Sequence, residues 1–263
     1  MNVEVLFLPT VATDLPSKLC VVIDELRATS TLIMMLNAGA RQVILADGVA
    51  GALSLAKALP EGTPVCGERG GLPPDGFTHG NSPREFAPGS LDGKDVVFCT
   101  SNGTKAMWEV AEAPTVLAAS LFNATAAVQA AFKEARENQY DISLVCSGDI
   151  QGTKFAIDDA FVAGYLALLL EREAARYGES DVHLEESAKA AVRLYRSYLV
   201  DLNATDDQYN PPREAILNAF WESLNAHVLK GVGLAADVEY CAQVDISDRA
   251  PRLHIVGDRL ILR

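Results

Sequence analysis

The 263-residue sequence lacks the features of a secreted, membrane-spanning or disulfide-stabilised protein. Its first residues contain no basic segment followed by a long apolar run, so we expect no signal peptide. The longest apolar run, Ala160 to Leu170, is too short to span a bilayer. The five cysteines are odd in number and never form a C-x-x-C pair, which argues against a disulfide framework and a zinc knuckle. These absences predict a soluble, cytoplasmic protein without a membrane partner.

Basic residues are scarce as well, because 22 Lys and Arg stand against 35 Asp and Glu, giving a formal net charge of −13. Nucleic-acid binding requires a basic face, so a nucleic-acid partner is excluded. The same charge repels small anions at long range. A site for an anion would therefore need a local cluster of arginines, backbone N–H groups or a metal ion.

Several familiar catalytic motifs are also absent. The sequence has no G-x-x-x-x-G-K-[ST] loop, no G-x-G-x-x-G fingerprint, no G-x-S-x-G elbow and no H-E-x-x-H pair. Asp24 is not followed by a second Asp two residues later, which excludes a phosphatase site of the haloacid-dehalogenase type. Cys146 has no Arg six residues later, which excludes a cysteine-phosphatase loop.

Through the first 150 residues, short β-rich runs alternate with helical patterns, which is typical of βαβ units. Continuous apolar runs predict parallel strands, buried on both faces, at 3–9, 19–25, 42–47, 64–68, 95–100, 115–120 and 141–147. Helices are predicted at 29–38, 49–59, 103–112 and 123–138. The predicted class is α/β, with a mostly parallel or mixed sheet flanked by helices.

After residue 155 the sequence becomes helix-rich, with helices predicted at 157–177, 184–201 and 213–230 and a loop at 201–212. The chain ends in two apolar runs around Gly257-Asp258, which predict a terminal β-hairpin with glycine first in its turn. We interpret residues 1–263 as a single α/β domain, or as two intertwined lobes of about 1–155 and 156–263. Assembly into a homo-oligomer is compatible with either arrangement.

One long segment, 69–94, has no periodicity and many Gly and Pro residues. Unstructured loops of this length are uncommon inside compact domains and are often functional. Because the segment also contains aromatic, Arg, Asn and His residues, we predict a loop that covers a binding site rather than a flexible linker.

Polar residues follow five of the predicted strands, in the stretches 24–31, 67–71, 100–104, 120–123 and 146–154. The carboxyl ends of parallel strands share one edge of a sheet, which is where open α/β folds bind ligands. We therefore expect these stretches to converge on one pocket. Taken one at a time, each has an ordinary alternative, in which Asp24, Ser101 or Asn102 belongs to a helix cap and Arg27 pairs with Asp24 on the surface.

The chemistry that fits these residues together is anion binding. Gly103 lets the backbone approach a ligand closely, and N–H groups at the start of the next helix carry a partial positive charge. Arg27 and Arg69 are each suited to donate two hydrogen bonds to a phosphate or sulfonate. Acids near an anion need a hard cation between them, and Mg²⁺ is the natural choice. The acids in question are Asp24, Glu68, Asp158 and Asp159.

Six stretches of the sequence together resemble one known family. They read "VVIDELRATSTLIMML", "GERGG", "GFTHGNSPREF", "TSNGTKAM", "SLFNATA" and "VCSGDIQGTKFAIDDAFVAG". These stretches are similar to the 2-phosphosulfolactate phosphatases, enzymes of coenzyme M biosynthesis, and the likeness covers nearly the whole chain. The resemblance implies an α/β fold distinct from the common phosphatase folds, a Mg²⁺ cofactor and hydrolysis of a phosphate monoester.

The same resemblance implies a set of site residues. Catalytic roles are implied for Asp24, Arg27, Glu68, Cys146 and Asp159. Substrate binding is implied for Arg27, Thr29, Arg69, Asn81, Ser82, Thr100, Asn102, Gly103, Thr104 and Gly148. Metal binding is expected of Asp24, Glu68, Asp158 and Asp159. The family usually has Glu-Asp where this chain has Asp158-Asp159, which shortens the first acid by a methylene.

The sequence therefore predicts a Mg²⁺-dependent phosphatase whose partner is a small anionic phosphate ester, with 2-phosphosulfolactate as the substrate that the resemblance implies. The nucleophile stays open between water, Asp24, Cys146 and a hydroxyl group. Two alternatives also stay open: a non-catalytic anion-binding or regulatory protein on the same fold, and a phosphatase of a different small phospho-acid. Acids retained at four places favour the enzyme.

Overall fold

Strands and helices alternate in the first half of the chain, and helices dominate the second half, as the sequence predicts. The computed structural model describes residues 1–178, 182–202, 204–205 and 210–263, so the predicted loop at 201–212 lies partly outside the described residues. The strands are β1 (Asn2–Leu6), β2 (Lys18–Ile23), β3 (Gln42–Leu45), β4 (Val65–Gly67), β5 (Asp95–Cys99), β6 (Thr115–Ala119), β7 (Asp141–Cys146), β8 (His183–Leu184), β9 (Leu253–Val256) and β10 (Arg259–Leu262). The helices are α1 (Ala28–Asn37), α2 (Gly48–Lys57), α3 (Gly103–Glu109), α4 (Ala124–Asn138), α5 (Ile157–Arg176), α6 (Glu186–Val200), α7 (Arg213–Trp221), α8 (Leu224–Gly231) and α9 (Ala235–Cys241). Within the described residues, none of these helices is both long enough and apolar enough to cross a bilayer.

The strands form two five-stranded sheets. The first sheet has the order β6-β2-β7-β1-β8, and all of its pairings are parallel. The second has the order β4-β5-β3-β10-β9, in which β10 pairs antiparallel with both β3 and β9. The α/β class, the mostly parallel pairing and the terminal hairpin are confirmed. The division into two sheets was not predicted, because an apolar run indicates burial but not the partner of a strand.

The two faces of each sheet are covered by different helices. In β2, Val21 and Ile23 face a core that they share with α4, α5 and α6, whereas Cys20 and Val22 face a second core. The second core lies between the two sheets and includes the buried sides of α1 and α3. A third, smaller core lies between the second sheet and α2. Helices from the C-terminal part thus share one core with β1, β2 and β7, while the proposed division into two lobes stays a prediction.

The terminal hairpin joins the edges of the two sheets. Leu117 in β6 and Arg252, next to β9, form an isolated antiparallel bridge, and Ala118 N–H donates to the Pro251 carbonyl oxygen at 2.9 Å. Arg252 also pairs with Glu134 on α4. The hairpin therefore links the second sheet to the edge of the first.

Two details of the C-terminal part differ from prediction. The helix predicted at 213–230 is two helices. Helix α7 ends at Trp221, and Ser223 then caps α8 by accepting a hydrogen bond from Ala226 N–H at 3.0 Å. Helix α9 was not predicted at all, because its seven residues are too few to show a clear apolar period. Both corrections matter below, because α8 and α9 contribute to the site.

Helices α5 and α6 approach most closely at Gly164. A methyl group at this position would lie 2.2 Å from the Ala191 carbonyl oxygen and 2.9 Å from Tyr195 Cβ. Phe161, about one turn before Gly164, and Tyr165, the next residue, pack against the Tyr195 ring. The glycine is therefore what permits the two helix backbones to meet.

We expect Gly164→Ala to lower the free energy of unfolding by about 1–3 kcal/mol, because overpacking against a backbone atom outweighs the better helix propensity of alanine. Gly51→Ala is the matched control, since Gly51 lies inside α2 and a methyl group there meets no atom within 4 Å. The control should raise the free energy of unfolding by about 0.5–1 kcal/mol. Urea titration measures both changes, and equal stability of the two variants would contradict the close crossing.

Candidate active site

A cavity of about 160 Å³ lies where carboxyl ends of strands from the two sheets meet. Asp24 and Arg27 follow β2 and Asp149 follows β7 in the first sheet, while Glu68 follows β4 and Ser101 follows β5 in the second. The remaining lining residues are Leu26, Gly70, Gly71, Asn81, Thr100, Asn102, Asn225, Val228 and Leu229. Four of the five polar stretches therefore converge as predicted, although two sheets rather than one edge bring them together.

The fifth stretch, which follows β6, does not reach this cavity. Ser120 Oγ accepts a hydrogen bond from Phe122 N–H at 3.2 Å, and Asn123 Nδ2 donates to the Arg249 carbonyl oxygen at 2.9 Å. These side chains shape the start of the next helix and tie it to the segment before the hairpin. The prediction that this stretch reaches the pocket is therefore wrong, because its side chains are used in local hydrogen bonds.

Asp24 is buried on the cavity wall and is held by the residues that follow it. Its Oδ1 accepts a hydrogen bond from Ala28 N–H at 2.8 Å, and its carbonyl oxygen accepts one from the Thr29 hydroxyl at 2.8 Å. Burial raises the pKa of the Asp24 carboxyl to about 6, the nearby Glu68 adds to the rise, and the Ala28 N–H opposes it. Thr29 lies outside the cavity lining, where it supports the loop that carries Asp24.

Gly103 lets the start of α3 approach Asp24. A methyl group at Gly103 would lie 2.6 Å from Asp24 Oδ2 and 2.5 Å from Ala28 Cβ. The sequence predicts that this glycine permits a close backbone approach, and the structure makes the Asp24 carboxyl the group that is approached. Any side chain at this position would displace Asp24 from the wall.

The turn that precedes α3 is closed by two threonines. Thr104 N–H donates to Thr100 Oγ1 at 3.1 Å, and Thr104 Oγ1 donates to the Thr100 carbonyl oxygen at 3.0 Å. Asn102 does not cap the helix, and its Oδ1 accepts a hydrogen bond from Gln151 N–H at 2.8 Å. Thr100 and Asn102 therefore stay on the cavity wall, whereas Thr104 lies behind the turn.

Glu68 ties together the loops that follow β4 and β5. Its Oε1 accepts a hydrogen bond from Ser101 N–H at 2.7 Å, and its Oε2 accepts one from Gly71 N–H at 3.0 Å. Both carboxylate oxygens thus have backbone donors. Glu68 therefore lies on the cavity wall and holds the two loops together.

Arg27 forms an ion pair that the sequence did not predict, and its partner is Asp237 on α9. Arg27 Nη1 lies 2.5 Å from Asp237 Oδ2, and both side chains are almost wholly buried. Arg27 Nη2 donates to the Gly71 carbonyl oxygen at 2.9 Å, and Ser82 Oγ donates to Asp237 Oδ1 at 2.8 Å. Asp237 therefore holds Arg27 and the long segment 69–94 together. No local motif marks it, since it lies 210 residues from Arg27 in an unpredicted helix.

The long segment 69–94 contributes to the wall but is also anchored elsewhere. Gly70, Gly71 and Asn81 line the cavity. Farther along, Phe86 and Leu91 are buried in the core between the sheets. The predicted covering of the site thus applies to part of the segment, and closure over a ligand stays a prediction.

Three further acids, Glu25, Asp158 and Asp159, are wholly buried next to the cavity wall. Asp158 Oδ2 accepts a hydrogen bond from Asn225, a lining residue, at 3.4 Å, while Asp158 Oδ1 has no partner. Asp159 Oδ1 accepts a hydrogen bond from Glu25 N–H at 2.9 Å, and its Oδ2 accepts one from Gly148 N–H at 3.0 Å. Gly148 therefore orients an acid rather than lining the cavity.

Burial dominates the electrostatics of these acids. It raises the pKa of Asp158 to about 7, and the nearby Asp24 adds to the rise. The pKa values of Asp159 and Glu25 are raised well above the usual range, again through burial first and through neighbouring carboxylates second. These three buried acids therefore bind more protons in the folded chain than they would as side chains exposed to water.

Two further candidates, Cys146 and Arg69, do not line the cavity. Cys146 is wholly buried in the core of the first sheet, where burial raises the thiol pKa well above its usual value and Asp159 adds to the rise. Arg69 is exposed beside the cavity, donating to the Glu68 carbonyl oxygen at 2.6 Å and to Cys99 Sγ at 3.1 Å. The structure gives Cys146 no access to a ligand in the cavity.

The donor set suits a hard cation. Asp158 Oδ1 and Asn81 Oδ1 are buried oxygens without hydrogen-bond partners, Asp24 is a charged neighbour of Asp158, and Asp24 lines the same cavity as Asn81. Across the described ranges, no three His, Cys, Asp or Glu side chains form a ready-made metal cluster. Mg²⁺ does not require one, because it commonly binds one or two carboxylates and completes its shell with water and phosphate oxygens.

Protonation of the acid group makes stability depend on pH. Folded Asp158 keeps its proton up to about pH 7, whereas an unfolded Asp loses it near pH 4, so the folded chain binds more protons between these values. Stability in EDTA should therefore fall as the pH rises from 5 to 8. Asp158→Asn should reduce this fall and raise the free energy of unfolding at pH 8 by about 2 kcal/mol.

Asp248→Asn is the matched control, since Asp248 is exposed and does not line the cavity. The control should keep the pH dependence of the parent protein. Chemical unfolding of all three proteins at pH 5 and pH 8 gives the comparison. A parent protein that is more stable at pH 8 than at pH 5, or an Asp158→Asn variant that follows the parent, would contradict the assignment.

Comparison with known proteins places the chain in a family. The sequence matches the family model described as "2-phosphosulpholactate phosphatase" over residues 8–254, which include every candidate site residue. A protein of Carboxydothermus hydrogenoformans named "Probable 2-phosphosulfolactate phosphatase" is 32% identical over 262 residues, covering 100% of this chain and 97% of that protein. A protein of Thermus thermophilus with the same name is 37% identical over 244 residues, covering 92% of this chain and 91% of that protein. The chain belongs to the 2-phosphosulpholactate phosphatase family.

Proposed function

We propose that the protein is a Mg²⁺-dependent phosphatase that hydrolyses 2-phosphosulfolactate to 3-sulfolactate and phosphate. The observation that carries the proposal is the cavity on whose wall the buried Arg27 and the buried acids Asp24 and Glu68 lie together. The names of the relatives support the choice of substrate, which bears a carboxylate and a sulfonate beside its phosphate. Such a ligand needs concentrated positive charge in a protein whose net charge is −13.

Arg27 supplies part of that charge from a fixed position. Its guanidinium has five N–H donors, and its bonds to Asp237 and to the Gly71 carbonyl oxygen engage two of them. A guanidinium that is already oriented loses little freedom when it binds an oxyanion, so more of the interaction is expressed as affinity or rate. Arg69, beside the cavity, is suited to the second anionic group of the substrate.

The proposed metal ion would be held chiefly by Asp24 and Asp158. Asp158 has a buried oxygen without a partner, and Asp24 lines the cavity. Glu68 and Asp159 already accept backbone N–H bonds, so they would orient the loops and neighbours around the ion. When bound, Mg²⁺ neutralises negative charge on the phosphoryl oxygens.

The nucleophile in this proposal is water or Asp24. Asp24 lines the cavity directly, so both its carboxylate and a water molecule bound in the cavity would be within reach of a phosphate there. Cys146 is a poor candidate, since its thiol is wholly buried and its raised pKa disfavours the thiolate that would attack phosphorus. A hydroxyl on the wall, that of Thr100, is engaged with Thr104.

A non-catalytic anion-binding protein on this fold is the alternative that the same cavity allows. It would need Arg27 and the loops around it, but it would gain nothing from acids buried at a cost in stability. Turnover of a phosphate ester, measured as released inorganic phosphate, separates the two functions. Binding of 2-phosphosulfolactate without any phosphate release would favour the alternative.

We expect hydrolysis of 2-phosphosulfolactate to stop in EDTA and to return when Mg²⁺ is added. The carboxylates of the site would repel the anionic substrate unless a cation lies between them. Asp24→Asn should lower kcat by at least about a hundredfold and should abolish the stabilisation of the protein by Mg²⁺ in thermal unfolding. Asp248→Asn should retain both properties. Full turnover in EDTA, or a Mg²⁺ effect on unfolding that survives in Asp24→Asn, would contradict the proposed metal site.

The substrate proposal predicts a preference for additional negative charge. The parent enzyme should have a higher kcat/KM for phosphosulfolactate and phospholactate than for a simple alkyl phosphate. Arg69→Ala should lower kcat/KM about tenfold to a hundredfold for the two phospho-acids, since one charge-assisted hydrogen bond is worth roughly 1.5–3 kcal/mol. The same substitution should leave kcat/KM for the alkyl phosphate nearly unchanged.

At Arg27 a conservative substitution is needed. Arg27→Ala would leave Asp237 buried without its ionic partner and would lower the free energy of unfolding by about 3–5 kcal/mol. Arg27→Lys keeps the charge but loses the planar fork, so it should lower kcat/KM for the phospho-acids while the protein stays folded. Parent enzyme that treats all three esters alike would leave a phosphatase of another substrate class.

A further inference from the structure

A second cavity, of about 730 Å³, lies directly beside the active-site cavity. The two cavities share Thr100, Ser101, Asn102 and Asp149 as lining residues. We name the larger one the outer groove. Its other lining residues are Ala46, Asp47, Gly48, Arg69, Thr104, Lys105, Trp108, Glu109, Ile150 and Gln151. Because four residues line both cavities, the two cavities are immediate neighbours, and a ligand larger than the small cavity has this groove beside it.

Two large apolar side chains line the outer groove and face solvent. Trp108, on α3, is 40% exposed, and Ile150, in the loop after β7, is 48% exposed. Exposed apolar groups that share one concave surface next to a polar site are typical of ligand contacts. An indole ring in particular offers a flat face against which another ring or an alkyl chain can pack.

The loop that carries Ile150 is held in an unusual conformation. Ile150 and Gln151 have φ values of 47° and 58°, in the left-handed region that residues with a Cβ rarely adopt. Asp149 Oδ1 accepts a hydrogen bond from Ile150 N–H at 2.6 Å, and Gln151 N–H donates to Asn102 Oδ1 at 2.8 Å. Lys105 Nζ donates to the Gln151 carbonyl oxygen at 3.0 Å, which ties the loop to α3. The groove wall is thus braced on both sides while the apolar Ile150 side chain stays outside the core.

The charges along the outer groove are mixed. Arg69 and Lys105 are cationic, Asp47, Glu109 and Asp149 are anionic, and Lys105 already bonds the loop. A multiply charged anion gains little from such a surface beyond Arg69. An uncharged, apolar extension fits it better, because it packs on Trp108 and Ile150 and does not meet the acids as a like charge.

We propose that the outer groove is a subsite for the alcohol half of the substrate, and that it admits phospho-acids bearing an uncharged aryl or alkyl extension. The phosphate lies in the small cavity, the carboxylate meets Arg69 on the groove wall, and the extension packs on Trp108 and Ile150. This inference rests on the proposed phosphatase function and widens its substrate class. Trp108 and Ile150 are then residues that determine specificity.

The test compares two esters that differ only by a ring, 2-phospholactate and 2-phospho-3-phenylpropanoate, in the presence of Mg²⁺. The parent enzyme should have a kcat/KM about tenfold higher for the phenyl ester. Trp108→Ala and, separately, Ile150→Ala should remove most of this preference while kcat/KM for phospholactate stays within about twofold. Trp108→Phe should restore part of it. Ile255→Ala, which changes an exposed apolar residue on β9, is the matched control and should keep the full preference.

The outcomes distinguish failure of the proposed subsite from failure of the proposed phosphatase function. Equal kcat/KM for both esters in the parent enzyme, or a loss that Trp108→Ala imposes equally on both, would overturn the subsite and leave the phosphatase in place. If neither of these esters nor 2-phosphosulfolactate releases phosphate, the proposed function fails, and the subsite fails with it.

Discussion

The buried ion pair between Arg27 and Asp237 is the interaction on which the site depends. It joins the loop after β2 to α9, and through Ser82 it also holds the long segment 69–94. Both partners are almost wholly buried, so the loss of either one would leave the other charge without compensation. The orientation of the cationic group in the cavity is therefore set by a helix from the last part of the chain.

A second constraint is the concentration of acids around a small cavity in an already acidic protein. Asp24, Asp158 and their neighbours have raised pKa values because burial and mutual repulsion both disfavour the charged forms. A fold gains no stability from such an arrangement, which is why it points to a purpose other than packing. A cation bound between these carboxylates, as in the proposed metal site, would relieve the repulsion.

Local sequence patterns predicted much of the cavity wall. Asp24, Glu68 and the turn at Thr100–Asn102 all lie on the cavity wall. A polar residue that directly follows a buried parallel strand lies at the edge of the sheet where open α/β folds bind ligands. The stretch after β7 was also expected to converge on the pocket, but Cys146 and Gly148 do not line the cavity. Both lie at or after the end of β7, but Cys146 faces the core and Gly148 faces Asp159. Sequence position alone does not give the direction in which a group points.

The sequence by itself determined the α/β class, the bounds of most strands and helices, the terminal hairpin and four of the stretches that form the cavity. These features depend on apolar periodicity and on turn residues, which act over a few neighbouring positions. Only the tertiary structure decided that the strands form two sheets, that Asp237 pairs with Arg27, and that Trp108 and Ile150 share a groove with Arg69. Each of these features depends on which distant segments of the chain pack together. A pattern of buried and exposed residues predicts that a surface is buried but not which segment covers it.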